Sequence, residues 1–544
     1  MQKGRSQPVH AASMILAVIF SVCHLGATDQ AIFNVKNYGA TGKKGESATA
    51  SIQRAIDTCA AAGGGRVYLP PGEYTSGTLH LRSHVRFYID AGATLFASPE
   101  ESDFDKPALL YGEDLQNITI EGRGTVDGQA EYIWKLNDLD DAFIRPNMLL
   151  AKSLGVPLMR SFPKGYPTRK TYPHMIQLLR SKDVKILGLS FLHSPSWTIN
   201  PYGCERLIID GVYIYTDQKY GVWADGIDPD GCKDVRISNS TIETGDDAIV
   251  FYSMNWYGPA LPCENITITN CRLSSSSSAL KFCDGNMNSV RNVTVDNCVI
   301  TGSNRGIAFM VFDGGYVDNV VLSNLVINCI RYDWYWWGDG DPIHFNIKRR
   351  SEISQPVQGK EPPAGSIRNV LIKNVIAHGK GSCMINGHPD SWLDHVNIEN
   401  LRLHLSTDPK AQYDKSVHAM QFRWAKNLKL KDVAVAWDKP ELEKWQSALY
   451  FQDIKDLDLN DFTGRQARVD RDQPAVVLDQ VDGALIRNSV APEGTAIFVQ
   501  VQGDKSKAVR LFDNDLRRAK VPYRVTSGAR SSEIQQVGNI TKQK

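Results

Sequence analysis

Three acidic residues of the 544-residue chain have types and spacing that suit acid/base chemistry. They are Asp225, Asp246 and Asp247, and the last two are adjacent in the chain. The step from Asp225 to Asp246 is close to the length of the repeats around these residues. If each repeat forms one turn of a coil of short strands, the carboxylates stack about 4.8 Å apart. Repulsion at that distance raises the pKa of at least one of them, as general acid catalysis requires.

A repeated strand pattern surrounds these carboxylates and must position them. In each copy a polar residue precedes alternating aliphatic side chains, as in Asp183-Val-Lys-Ile-Leu-Gly and Asn265-Ile-Thr-Ile-Thr-Asn. Further copies begin at Asn117, Asp234, Asn292, Asn319, Asn369, His395 and Asn427. Alternation predicts strands, and Asn and Gly predict sharp turns. The regular recurrence of the unit predicts a solenoid.

The repeats predict an all-β fold, a parallel β-helix, in one domain over residues 28–544. A propeller is the alternative, but the two-residue hairpin turns that its blades need are mostly missing. Residues 51–62 have helical periodicity and are predicted to cap the open apolar end of the coil. We assign residues 28–80 to this cap and the first turns, and about 505–544, where the repeat fades, to a C-terminal cap. Residues 136–175 are predicted to form an inserted loop.

Residues 1–27 have the pattern of a signal peptide. Lys3 and Arg5 precede an apolar run, residues 14–22, that is too short to span a bilayer. The prediction is a secreted or periplasmic protein without a later membrane span. The net charge of +1, from 61 basic and 60 acidic residues, gives no reason to expect a nucleic-acid partner.

Nine cysteines remain outside the signal, which is an odd number for an exported chain. No Cys-x-x-Cys pair occurs, so no zinc site is predicted. Several cysteines recur at the repeat period, as at Cys271, Cys298 and Cys329. This spacing favours small side chains stacked in the core of the coil over a disulfide framework.

Four motifs follow one another in this repeat: Gly124-Thr-Val-Asp-Gly-Gln, Ser194-Pro-Ser-Trp, Asp225-Gly-Ile-Asp and Gly245-Asp-Asp. From about residue 33 to 346 the chain resembles glycoside hydrolase family 28, the polygalacturonase family of right-handed β-helix enzymes. The resemblance implies that Asp246 protonates the leaving oxygen while Asp225 and Asp247 activate water. Hydrolysis would then invert the anomeric centre, with acid and base at the usual inverting separation of roughly 6.5–9.5 Å. Asp228 is interpreted as a turn carboxylate without a catalytic part.

The chain departs from the family pattern at three places. Trp223 and Ala224 stand where the family usually has Asn-Thr, and a serine run, residues 274–278, stands where it has Gly-His-Gly. Ala308 and Met310 occupy the positions of the Arg and Lys that grip a substrate carboxylate.

Two nearby cations are candidates to replace that missing pair. Lys281 follows the serine run, and the step from Ser276 to Arg305 equals the step from Asp247 to Ser276. Equal steps predict that Asp247, Ser276 and Arg305 share a face, with Arg305 binding a carboxylate through its fork. A solvated turn arginine is the alternative.

Aromatic residues cluster at residues 332–337 and include Trp336. Exposed rings at this density commonly stack on sugars, and we take Trp336 and Trp223 as substrate-binding candidates. Packing of the loop onto the coil is the alternative for some of these rings. His193, His344 and His388 are interpreted as structural.

The sequence therefore predicts a secreted, polygalacturonase-like glycoside hydrolase that acts on pectin-type polysaccharide or oligosaccharide. We expect a monomer that needs no cofactor and no metal. Two alternatives stay open. One is a polysaccharide lyase on the same fold, which would need calcium and a basic residue, and the other is a non-catalytic carbohydrate-binding solenoid.

Overall fold

The computed structural model describes Gly4 and residues 31–137, 164–167, 173–221, 223–332, 338–353, 360–406, 417–438 and 444–542. The predicted signal peptide, apart from Gly4, lies outside these ranges. So do most of the predicted loop 136–175 and the whole of Trp336.

Nearly all regular elements are short strands. The first are Ile32–Asn34, Gly65–Leu69, Gly72–Ser76, Leu79–His80, Val85–Ile89, Ala93–Ala97, Ala108–Glu113, Gln116–Gly122, Thr125–Asp127, Trp134–Asn137 and Lys164–Pro167. Then come His174–Leu179, Lys182–Leu187, Ser190–Leu192, Ile199–Tyr202, Glu205–Asp210, Tyr213–Tyr215, Lys233–Ser238, Thr241–Thr244, Ile249–Ser253, Cys263–Thr269 and Arg272–Ser275.

The later strands are longer because neighbouring strands of one turn merge. They are Ser278–Asn286, Ser289–Ser303, Arg305–Val311, Tyr316–Cys329, Asp341–Ile347, Ser366–Gly379, Cys383–Asn386, Leu393–Ser406, Met420–Asp438, Leu449–Gly464, Pro474–Arg487, Ile497–Gln502, Lys507–Phe512, Val521–Val525 and Ile534–Val537. The α-helices are Thr49–Ala61 and Ala130–Ile133, and the 3₁₀ helices are Val35–Tyr38, Glu101–Asp103, Arg350–Ile353 and Ser531–Glu533.

Each strand pairs in parallel with the corresponding strand of the next turn. Ile237, for example, lies between Ile209 of the previous turn and Ile268 of the next. Among the described strands, the one antiparallel pair joins Trp134–Asn137 to Lys164–Pro167. The predicted parallel β-helix is therefore confirmed.

The inward side chains of the strands form one continuous apolar core along the coil axis. Phe282 stacks on Phe309 with ring centroids 4.2 Å apart, and Phe309 lies 4.2 Å from Phe345 on the next turn. The nine cysteines of the described chain are all buried and free, as predicted from their spacing. Since every turn places similar residues at the same position, the core forms by stacking like on like.

The polar residue that opens each repeat makes a ladder of side-chain amides. Asn265, Asn292 and Asn319 all have left-handed backbone conformations, with φ of 59°, 56° and 55°. Each amide donates to the side chain one turn back, from Asn292 to Asn265 at 3.0 Å and from Asn319 to Asn292 at 3.2 Å. Asn is favoured here because it tolerates this backbone conformation and bonds to its own kind.

The predicted N-terminal helix is present and covers one end of the coil. Thr49–Ala61 buries Ile52, Ile56 and Cys59 against the first strands. At the other end the structure corrects the expectation that the repeat is lost after about residue 505. Lys507–Phe512 pairs in parallel with Pro474–Arg487 and with Ile534–Val537, so these residues form the last turns of the coil. The polar exposed positions of these turns hide the repeat in the sequence.

One face of the coil carries the acidic motifs. Ile227 bridges in parallel to Ile199 of the previous turn and to Ile249 of the next. Ile249–Ser253 pairs with Ser278–Asn286, which pairs with Arg305–Val311. The residues that precede these positions therefore meet at one edge of the face.

Candidate active site

The structure brings the three predicted catalytic carboxylates together. Asp225, Asp246 and Asp247 each place an oxygen within 4.8 Å of the other two. Their exposed fractions are 2%, 4% and 1%. The backbone N–H of Gly226 donates to the carbonyl of Asp247 at 2.9 Å, which fixes the two turns against each other.

Backbone N–H groups hold Asp246. Its Oδ2 accepts from the N–H of Trp223 at 3.1 Å, and its Oδ1 accepts from the N–H of Asp247 at 2.9 Å. Trp223 reaches it with a left-handed backbone, at φ 61°, and its side chain is 42% exposed beside the acid. Contact of this ring with a substrate stays a prediction.

Three donors surround Asp247. Its Oδ1 accepts from the hydroxyl of Ser277 at 2.9 Å and from the backbone N–H of Ser278 at 3.0 Å. Its Oδ2 accepts from the ammonium of Lys281 at 2.6 Å, in an ion pair whose side chains are 6% and 2% exposed. Such donors favour the charged form of a carboxylate.

Asp228 lies close to this cluster. It is fully buried, and neither of its oxygens has a hydrogen-bond partner in the described part of the chain. Burial, reinforced by the neighbouring carboxylates, raises the pKa of both Asp225 and Asp228 well above the usual value. That Asp228 has no catalytic part stays a prediction.

The carboxylates are closer together than the predicted inverting separation. Oxygens within 4.8 Å of one another do not reach the roughly 6.5–9.5 Å of a typical inverting pair. The stacked turns cause this, since their spacing sets the distance. One water still fits, because a water that donates about 2.8 Å hydrogen bonds to two oxygens holds them roughly 4.5 Å apart.

These three carboxylates are also the group that could hold a cation. Lys281 already supplies a positive charge to Asp247 at 2.6 Å. A divalent ion on the same oxygens would lie against that ammonium, so the donor set fits a metal poorly.

An aromatic cluster that the sequence did not single out as substrate-binding lies beside the carboxylates, with Trp197 on the turn before Asp225 and Tyr252 on the strand that follows Asp247. Trp197, Tyr252 and Trp256 pack together, with ring centroids 5.8 Å apart for Trp197 and Tyr252 and 5.3 Å for Trp197 and Trp256. The next residue after Trp197, Thr198, donates its N–H to the carbonyl of Asp225 at 2.9 Å. Trp256 is 45% exposed. The sequence did carry a signal for this cluster. Tyr252 and Trp256 lie four residues apart, near the end of the strand that follows Gly-Asp-Asp.

Comparison with known proteins finds a family that this part of the chain matches. Residues 163–333 match the sequence profile of glycosyl hydrolases family 28, and residues 32–132 match that of "Rhamnogalacturonase A/epimerase, pectate lyase-like". The family 28 match contains Asp225, Asp228, Asp246 and Asp247. This part of the chain is thus similar to the glycosyl hydrolases of family 28.

Relatives in this family are polygalacturonases by name. A probable polygalacturonase of Vitis vinifera is 28% identical over 241 residues, covering 40% of this chain and 43% of that protein. An exopolygalacturonase of Platanus acerifolia is 29% identical over 247 residues, covering 44% and 56%. The chain thus spans about half the length of the curated relatives it matches.

Solved structures agree on the fold. The family 28 exopolygalacturonase of Yersinia enterocolitica aligns with a TM-score of 0.60 at 18% identity, over 78% of each chain. The exopolygalacturonase of Thermotoga maritima aligns with a TM-score of 0.57 at 22% identity, over 75% of this chain and 92% of that one. The right-handed β-helix predicted from the resemblance is confirmed.

Lys281 and Arg305, the two candidates to replace the missing Arg–Lys pair of family 28, have different surroundings. Lys281 is buried against Asp247, and its contact with a substrate carboxylate stays a prediction. Arg305 lies opposite Ser278 and Asp341, and its Nη1 reaches Met310 Sδ at 3.6 Å. The guanidinium therefore crosses the position of the small Ala308, where the family carries an Arg.

The predicted alignment of Ser276 with Asp247 and Arg305 is wrong. Ser278 takes that position, and the step from Asp247 to Ser278 is longer than the step from Ser278 to Arg305, so the two turns differ in length. Ser276 is 1% exposed and its hydroxyl donates to the carbonyl of Gln218, which keeps it from substrate.

The three histidines have structural partners. Each one contacts a carboxylate: His193 with Asp127 at 3.2 Å, His344 with Asp341 at 2.8 Å, and His388 with Glu352 at 3.0 Å. Within the aromatic segment, Tyr332 is described, and its hydroxyl donates to the carbonyl of Gly302 at 2.8 Å. Packing onto the coil is thus observed for this ring, whereas Trp336 lies outside the described residues.

Proposed function

We propose that this protein is an inverting glycoside hydrolase that cleaves pectin-type polysaccharide. The observation that carries the proposal is the cluster of Asp225, Asp246 and Asp247 with oxygens within 4.8 Å of one another. The match to family 28 and the polygalacturonase names of its relatives support a pectic substrate.

The chemistry follows from the contacts of each carboxyl group. Asp246 gives its proton to the glycosidic oxygen as the bond to the anomeric carbon breaks. Water attacks that carbon from the opposite side and loses a proton to Asp247, with Asp225 orienting it. Asp247 ends protonated and Asp246 ionised, and proton exchange with solvent restores the starting state.

Aromatic side chains beside the cluster support a sugar substrate. The exposed ring of Trp256, packed on Trp197, offers an apolar surface next to Asp225. Such a ring buries the C–H face of a sugar at little entropic cost. We propose that this surface, with Trp223, holds the substrate on either side of the scissile bond.

Export and oligomeric state remain predictions. Within the described residues, none of the helices has the length and apolar character needed to cross a membrane. We propose that residues 1–27 direct the protein out of the cytoplasm and that it acts there as a monomer.

The test is incubation of the protein with defined pectic oligosaccharides, with products followed by mass spectrometry and NMR. The expected result is hydrolysis in which the first product has the anomer opposite to that of the cleaved bond. Asp246→Asn should lower kcat on the order of 10² to 10⁴, whereas Asp472→Asn, at an exposed surface carboxylate, should leave it unchanged.

The other functions predict different outcomes. An unsaturated product absorbing in the ultraviolet, lost when a chelator is added, would make the protein a lyase. Binding of the oligosaccharides without cleavage would make it a carbohydrate-binding solenoid. Product with the original anomer would remove the water-activating role of Asp247.

A further inference from the structure

The buried ammonium of Lys281 has a place in the site that the sequence did not suggest. Lys281 lies on the turn after Asp247, opposite Val250, and its side chain is 6% exposed. Its Nζ is 2.6 Å from Asp247 Oδ2. A lysine is seldom buried this deeply unless it is paired, so the contact points to a specific role.

The arrangement around Asp247 leaves a defined place for one more partner. A carboxylate offers about four acceptor sites. Ser277 and Ser278 fill those of Oδ1, and Lys281 fills one of Oδ2. In the described part of the chain, one acceptor site on Oδ2 thus remains for a water.

The other carboxyl groups show what happens without such a cation. Asp225 and Asp228 have no ammonium in hydrogen-bond contact, and one oxygen of Asp225 and both of Asp228 lack a donor among the described residues. Burial raises the pKa of both. Asp247 is therefore held by hydrogen-bond donors and a cation. The raised pKa of Asp225 and of Asp228 favours the protonated form of those two groups.

We infer that Lys281 is a positioning residue that fixes the orientation of Asp247 and aims its free lone pair at the attacking water. It does so from the turn that carries serines where the family has Gly-His-Gly. The inference rests on the proposed function, because it assigns Asp247 as the base of that hydrolysis. Lys281 touches Asp247 and is not assigned a contact with the sugar.

Several charged groups surround this pair. Asp225 and Asp228 lie on the previous turn, and Asp246 lies on the same turn as Asp247. Beyond Lys281, Arg305 pairs with Asp341 at 3.6 Å, and Asp341 contacts His344 at 2.8 Å. His174 lies two turns before Asp225, and burial lowers its pKa to about 4. The positive charge of Lys281 partly offsets the rise in the pKa of Asp225 and Asp228.

The kinetic test compares Lys281→Met with Lys281→Arg. Lys281→Met should lower kcat on the order of 10² and leave KM nearly unchanged, because Asp247 is then no longer held in line with the attacking water. Lys281→Arg should restore most of the rate. The matched control is Lys507→Met, which removes another lysine–carboxylate pair, 3.1 Å from Asp482 in the last turns. Lys507→Met should leave both kcat and KM unchanged.

A double variant separates positioning from general damage. In the Asp247→Asn background, Lys281→Met should cause less than about a threefold further loss of kcat, since Lys281 acts through Asp247. An unchanged kcat in Lys281→Met, a loss that appears only in KM, or a full additional loss in the double variant would overturn the inference.

Thermal unfolding gives a readout that does not depend on finding a substrate. Lys281→Met leaves a buried carboxylate unpaired and should lower Tm at pH 7, whereas Lys281→Met combined with Asp247→Asn should recover much of the loss. Equal Tm for the single and double variants would overturn the coupling. If no oligosaccharide is cleaved but this recovery is seen, the proposed function fails while the coupling of Lys281 to Asp247 stands.

Discussion

Arg305 is the residue whose placement bears most on the charge of the substrate. Its guanidinium lies across Ala308 towards Met310, its Nε is 3.6 Å from Asp341, and that Nε has no hydrogen-bond partner among the described residues. Asp341 balances part of its charge. The guanidinium group of Arg305 still occupies the position at which relatives are expected to bind a substrate carboxylate.

We predict that Arg305→Ala lowers kcat/KM on uronate-containing oligosaccharides by the equivalent of about 2–5 kcal/mol. Neutral oligosaccharides of the same length should be spared, because they offer no carboxylate. The measurement is kcat/KM on matched pairs of substrates, with Arg305→Lys as the control that keeps the charge. An equal loss on both kinds of substrate would make Arg305 structural.

Asp230 gives a pH-dependent prediction that is independent of catalysis. It is buried, its Oδ1 accepts from the N–H of Met254 at 2.9 Å, and burial raises its pKa to about 7 from 3.8. The folded protein therefore holds a proton that the unfolded chain releases above about pH 4, so Asp230 costs stability as pH rises from 4 to 7. Asp230→Asn removes that cost.

The expected gain in free energy of unfolding for Asp230→Asn is near zero at pH 4 and reaches up to about 4 kcal/mol above pH 7. Denaturant unfolding at several pH values measures it, with Asp472→Asn as the exposed control. A constant difference at all pH values would mean that Asp230 keeps its usual pKa.

At the scale of residues, the sequence predicted which carboxylates come together but not the contacts that hold them. Asp225, Asp246 and Asp247 were found because their motifs are local and their order is characteristic. The contacts of Asp247 with Ser277, Ser278 and Lys281 depend on two successive turns of unequal length, where equal turns were assumed. Nothing in a one-dimensional pattern specifies that inequality.

At the scale of elements, the amide ladder determines how neighbouring turns align. Asn292 both donates to Asn265 at 3.0 Å and accepts from Asn319 at 3.2 Å, at φ 56°. Asn292→Ala loses two hydrogen bonds and forces a side chain into a left-handed backbone. It should cost about 2–4 kcal/mol in free energy of unfolding.

Asn292→Gly separates the two effects. Glycine accepts the left-handed conformation, so only the hydrogen bonds are lost and the cost should be smaller, about 1–2 kcal/mol. Urea unfolding of the two variants measures the difference. Equal costs would mean that the backbone conformation contributes nothing at this position.

The strands were predictable because their aliphatic alternation and turn residues repeat. The helix Thr49–Ala61 was predictable from its period, and its predicted bounds differ from the observed ones by two residues at the start and one at the end. The last strands were missed, because Val521–Val525 has no buried position that would mark an inward face. Pairing with the preceding turn, rather than local pattern, specifies these strands.

At the scale of the whole molecule, each turn contacts chiefly the turns on either side of it. Backbone amides in the central strand Ile249–Ser253, which is buried throughout, should therefore exchange with deuterium more slowly than those of Val521–Val525. Hydrogen-exchange mass spectrometry checks this. Equal protection at the centre and the end would indicate that the coil unfolds as one cooperative unit.

The last turns of the coil mark where its stacked apolar core stops. Val521, Val537 and Ile540 are 39%, 51% and 53% exposed there. Because each turn is held chiefly by its neighbours, these turns can open without disturbing the carboxylates, which lie many turns away. A protease that cuts an opened end would therefore shorten the coil before it reaches the carboxylates.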